Sequence, residues 1–161
     1  MGVARVLLIV IAAVLTLLGT YVFALFPSFP PLVGSGLGFA MNLPTIITID
    51  PGADAFVFYF MLVLFIVWLA SGALQLIGLK SRIVGIIFSL VPLAIGIMFV
   101  LLVYTEILGI MTAVFFLMTS GEVFAGVIPM LIEIFGMGLG VYFLLAGGVL
   151  GIIGSSLPKD K

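Results

Sequence analysis

The stretch Pro129 to Gly154, PMLIEIFGMGLGVYFLLAGGVLGIIG, decides how the rest of the chain is read. It is long enough to cross a bilayer and carries a single charge, Glu133. Five of its seven glycines, Gly136, Gly140, Gly147, Gly151 and Gly154, recur at helical spacing. On a helix turning by about 100° per residue, they lie within about 60° of one another. Glycine weakens a helix in water, so a whole face of it calls for a compensating gain. In lipid that gain is close approach, with two backbones in van der Waals contact. The pattern predicts a lipid-buried packing helix over 130–154; the other reading is a glycine-lined pore wall.

Composition points the same way. Of the 161 residues, 65% are hydrophobic and 7% charged, and the mean hydropathy is +1.60. A soluble domain carries about 25% charged residues. No soluble fold hides this much apolar surface, so the bilayer is the solvent. There is no cysteine and no histidine. That excludes disulfides, thiolate chemistry, thiol-held clusters, haem on His or Cys, and the usual proton-transfer side chain near neutral pH. A net charge of −1 gives no pull toward nucleic acid. Asn42 and Gln75 are the sole members of their types, a scarcity that fits a hot habitat and predicts a melting temperature above about 65 °C.

Apolar runs at about 4–26, 55–78, 83–104 and 130–154 predict an all-α integral membrane protein, a bundle of four transmembrane helices in one domain spanning 1–161. The first run has no clean cleavage site and reads as a retained span. Arg5, Lys80, Arg82, Lys159 and Lys161 sit at the termini or in the turn after the second run. The excess of basic residues in cytoplasmic loops then puts both termini inside the cell, in the cell membrane. Segments 27–54 and 105–128 fall outside.

The outer loop 27–54 holds Pro27, Pro30, Pro31, Pro44 and Pro51 with Gly34, Gly36 and Gly38, which predict no continuous helix. Thr45 to Asp50, TIITID, predicts a short strand, followed by a turn at Asp50-Pro51-Gly52. Phe26, Phe29, Leu32, Val33, Leu37, Phe39 and Met41 make the region too apolar for open water. It should pack on the bilayer surface, on its own helices or on another subunit. In 105–128, Ile107 to Met118 is too short to cross and predicts a short interfacial helix. Thr119-Ser120-Gly121-Glu122 has the spacing of a capping box and predicts a helix restart leading into the membrane near Pro129. The competing reading is a fifth crossing, which would put the C-terminal lysines outside.

Small residues recur at helical spacing in the other spans. Gly85, Ser89, Pro92 and Gly96 share a face of the third, Ser71, Gln75 and Gly78 of the second, and Ala13, Thr16, Thr20 and Ala24 of the first. The stripes predict inward packing, and they offer few groups to a hydrated ion. Glu133 is the sharpest single residue, a carboxylate on the glycine side about one turn inside the membrane. It reads as an ion or proton site, a partner contact, or an interface glutamate reaching water. Gln75, with Ser71 one turn away, predicts an interhelical hydrogen bond. Asp50, Asp54, Glu106 and Glu122 form no motif, and GSGLG (34–38) follows no strand–helix pattern for a nucleotide. The residues point to no catalytic, cofactor or metal role.

Four spans with inside termini, a long first outer loop and a shorter second one resemble the layout of tetraspan proteins such as claudins. The outer-loop Trp and paired Cys of claudins are absent; the one tryptophan is Trp68, in a span. Three functions follow as expectations. The first is a small non-catalytic accessory subunit of a respiratory or transport complex, held to other membrane subunits by helix packing. The second is a homo-oligomeric channel or transporter with Glu133 near its path. The third, in line with the claudin-like layout, is a tetraspan structural or adhesion protein.

Overall fold

The structure, a computed structural model, describes residues 2–28, 32–123 and 127–158. Phe29, Pro30, Pro31, Lys159 and Lys161 lie outside the described residues. Among the described residues, four helices are long and apolar enough to cross a membrane: Val3–Val22, Gly52–Leu79, Arg82–Tyr104 and Leu139–Ser156. The first consists of α1 (Val3–Leu17) and a π-helical turn, Leu18–Val22. Between it and the second lie β1 (Phe26–Pro27), β2 (Leu32–Gly34) and α2 (Gly36–Ile46). The second span is α3 (Ala55–Leu74), flanked by 3-10 turns at Gly52–Asp54 and Gln75–Leu79. The third is α4 (Arg82–Tyr104), then α5 (Ile110–Thr119) and β3 (Ser120–Glu122). A hairpin of β4 (Glu133–Ile134) and β5 (Met137–Gly138) leads into α6 (Leu139–Ser156), the fourth span.

The bundle is apolar both inside and out, with small polar residues set into its interior. Thr16, Thr20, Ser71, Gln75, Ser89 and Ser155 are buried, while Leu7, Val14, Phe60, Val63, Ile87 and Leu90 face outward. Lipid removes the penalty on exposed aliphatic side chains, so the interior is filled by whatever lets backbones approach. Buried hydroxyls mostly bond within their own helix: Thr20 donates to Thr16 O at 2.7 Å, Ser89 to Gly85 O at 2.7 Å and Ser71 to Trp68 O at 2.7 Å. α6 occupies the middle, packing most extensively on α4 and α1.

At the opposite end from the Lys80–Arg82 turn, the connections fold into a cap. Its sheet runs in the order β1-β2-β3, all antiparallel, with Phe26 opposite Gly34 and Leu32 opposite Glu122. Aromatic rings join cap to spans. Phe26 stacks on Phe99 at 5.3 Å, and Phe115 meets Phe99 edge-on at 4.2 Å and Phe65 at 4.9 Å. Phe39 meets Phe65 at 5.3 Å. Such pairs contribute about 0.5–1.5 kcal/mol each beyond area burial. Of the described apolar residues of 27–54, Val33, Phe39 and Ile46 are buried against the rest of the chain, while Met41 and Ile47 stay exposed.

Several local expectations are overturned. A helix does form in 27–54: Ser35 caps α2 by accepting from Gly38 N at 2.9 Å, and Pro44 lies inside it. Gly36 and Gly38 serve as contact points and not as breaks. A Cβ on Gly36 would meet Thr20 O at 2.6 Å, and one on Gly38 would meet Gly121 N at 3.2 Å. Thr45 to Asp50 is no strand; Thr45 and Ile46 finish α2, and Thr48 Oγ1 bonds back to Thr45 O at 2.7 Å. Thr119 does not open a capping box. Its hydroxyl bonds Phe115 O at 2.8 Å, ending α5, and the next residues pair with β2. Asn42 secures this join by donating to Met118 O at 3.3 Å and Ser120 O at 2.6 Å.

The largest correction concerns the deciding stretch. The last helix starts at Leu139 and not near Pro129. Residues ahead of it are tied to the end of the first span, through Met130 N to Val22 O (2.7 Å), Ala24 N to Met130 O (2.9 Å) and Gly138 N to Leu25 O (2.8 Å). Bonds to the end of the first span thus pair this backbone without a helix. Gly136, at φ 77°, supplies the hairpin turn instead of a packing face.

Candidate functional site

The remaining glycines of α6 do line its contacts. A Cβ on Gly140 would meet Phe23 O at 2.7 Å, and one on Gly147 would meet Ala12 O at 2.9 Å. On Gly154 it would meet Ile9 Cγ1 at 3.0 Å, and on Gly148 Leu93 Cβ at 2.6 Å. Gly151 faces the Ser89 hydroxyl. On α4, Gly85 faces Ser155 and Gly78, and a Cβ on Gly96 would meet Leu145 Cδ2 at 2.7 Å. Gly140, Gly147, Gly151, Gly154, Gly85, Ser89 and Gly96 thus meet along α6, and Gly136 does not join them.

Glu133 also leaves the set. It lies exposed in β4, across from Gly138, and not on the last helix. The acids Asp50, Asp54, Glu106, Glu122 and Glu133 are all exposed, at the cap end.

The polar atoms that do converge lie at the other end. Gln75 is buried and accepts from Thr16 Oγ1 at 3.2 Å, joining the second span to the first. Its Nε2 has no partner, nor does the Ser155 hydroxyl beside Gly78 and Gly85. Ser71 is buried nearby on the same face, its hydrogen bond spent on Trp68 O.

Arg5 is the residue the sequence hides. A basic residue at the edge of a span is expected to reach water. Here it is 1% exposed. Its Nη2 donates to the carbonyl of Gly78, while Nε and Nη1 have no hydrogen-bond partner. The one signal available was its place as the sole charge within the first apolar run.

Together Arg5, Gln75 and Ser155 present unspent polar groups in the buried interior: three nitrogens and a hydroxyl, with one positive charge. Such groups can hold and orient a partner or ligand through hydrogen bonds. Comparison with family models, curated proteins and solved structures finds no match to this chain.

Proposed function

We propose that this chain is a small, non-catalytic accessory subunit of a larger membrane complex, of respiratory or transport type, with its termini and the Lys80–Arg82 turn on the cytoplasmic side. One observation carries the reading. Residues 127–135 present an apolar run outside the bundle: Val127, Ile128, Met130, Leu131, Ile132, Ile134 and Phe135 are exposed, the last by 84%. The run is held in place, because Tyr104 Oη donates to Phe135 O at 2.7 Å and Tyr142 Oη to Ile134 O at 2.8 Å. An apolar surface whose backbone is fixed in advance loses little entropy on meeting a partner. We assign it to the lipid-embedded face of another subunit. Glycine contacts along α6 and aromatic rings toward the cap occupy the interior of one copy, which favours this reading over a pore within it.

Purification in mild detergent tests this. Different polypeptides in fixed ratio are expected with the wild type and should be lost from Phe135→Glu without change in melting temperature. A lone monomer would sink the reading. A symmetric homo-oligomer would replace it with a channel or transporter built from copies of this chain, and dependence on contacts between cells would favour the adhesion role. Orientation has its own test, made simple by the absence of cysteine. In whole cells, an impermeant maleimide should label Asp54→Cys and spare Lys80→Cys; the reverse pattern inverts the map.

A further inference from the structure

We propose that the end of the bundle around the first turn of α1 is an oxyanion site that takes a phosphate group. A cavity of about 230 Å³ opens there, lined by Gly2, Val3, Ala4, Arg5, Leu157 and Pro158. Three independent features point into one chemistry. The first is Arg5, buried to 1% exposure yet lining the cavity, with Nε and Nη1 unbound. The second is the start of α1 itself. Its first N–H groups have no intrahelical acceptor, and Gly2 has no side chain to cap them. Helix N-termini of this kind favour negative charge and hydrogen-bond phosphate directly.

The third is depth. The first span covers 20 residues. At about 1.5 Å per residue that is about 30 Å, the thickness of the hydrocarbon layer, so its first turn stands at headgroup level. There the abundant anion is phosphate. The unmet groups of the cavity's arginine are donors only, so the missing partner is an acceptor. Five of the six acids, at 50, 54, 106, 122 and 133, are at the far end of the spans, and the sixth, Asp160, lies outside the described residues. A tetrahedral oxyanion can accept from guanidinium and backbone N–H together, since its oxygens point in several directions. The proposal is independent of the partner-binding role given to the hairpin.

The phosphate can belong to a lipid headgroup or be free in solution, and the experiment separates these. The full chain in nonionic detergent is titrated with dioctanoyl phosphatidylglycerol, with inorganic phosphate, and with dioctanoylglycerol as the phosphate-free control, following saturable binding by calorimetry and melting temperature. Wild type should bind at least one phosphate-bearing probe and ignore the control. Binding of the lipid alone assigns a headgroup, and binding of both assigns a general phosphate site. Arg5→Gln should weaken binding by about tenfold or more, as the loss of a charge-assisted hydrogen bond does. Should Arg5→Gln fail to fold, Leu157→Trp decides: it fills the cavity and leaves Arg5 in place, and binding should again fall about tenfold. No saturable binding of either phosphate probe, an equal response to the control, or binding that survives Leu157→Trp overturns the assignment.

Discussion

Gly147→Ala puts the packing of α6 to a quantitative test. In an exposed helix this exchange stabilises by about 0.8–1.0 kcal/mol, because alanine restricts the unfolded chain and propagates helix better. At position 147 the new methyl would stand 2.9 Å from Ala12 O and 3.0 Å from Thr16 N, as well as 2.5 Å from Thr16 Oγ1. The hydroxyl can rotate away, but the two backbone atoms cannot. Restoring ordinary contact of about 3.4 Å or more moves α1 and α6 apart by about 0.5 Å along their seam, and overpacking of this kind costs about 1–3 kcal/mol. The clash outweighs the propensity gain, for a net loss of about 0–2 kcal/mol. For a chain of this size each kcal/mol lowers the melting temperature by about 2–4 °C. Val149→Leu, at a position on the same helix that faces outward, is the control and should change stability by less than about 0.5 kcal/mol. Reversible unfolding in mixed micelles reads both. If Gly147→Ala melts above the wild type, the close approach of α1 and α6 described here is wrong.

Other perturbations follow from single contacts. Thr16→Val leaves both ends of the Gln75 amide without a partner and should destabilise by about 1–2 kcal/mol, whereas adding Gln75→Leu removes the orphaned amide and should restore part of the loss; equal stability of single and double variants would count against the bond. Asn42→Ala removes two hydrogen bonds between α2 and the end of α5, costing about 1–3 kcal/mol, and amide exchange across Ser120–Glu122 should speed up while α6 is unaffected. Tyr142→Phe with Tyr104→Phe should release the hairpin, read as new protease cleavage near Phe135 with a loss of about 1 kcal/mol per hydroxyl.

The spans could be read because membrane thickness imposes a length on any apolar helix, and three of the four lie within a few residues of the runs that predict them. The fourth misleads for a physical reason. PMLIEIFGMG is as apolar as a span, and hydropathy cannot distinguish a helix from a hairpin whose backbone is bonded to the end of another span. Gly136 falls in phase with the helical glycines by coincidence, and its positive φ belongs to a turn. The cap resisted reading for the opposite reason. Glycine marks both chain breaks and close approaches, and only the neighbours of Gly36 and Gly38 tell which is meant. Arg5 lay beyond reach because its burial depends on Gly78 and Leu157–Pro158, far along the chain, closing around it.

The length of α6 has a consequence for the surrounding lipid. Eighteen residues reach only about 27 Å, some 3 Å less than a typical acyl layer. Phospholipids beside this helix must shorten their reach or meet the hairpin's apolar side chains where methylene groups would otherwise lie. The penalty is a fraction of a kcal/mol for each ångström of mismatch, so the molecule should partition toward thinner bilayers and gather short-chain lipids on that flank.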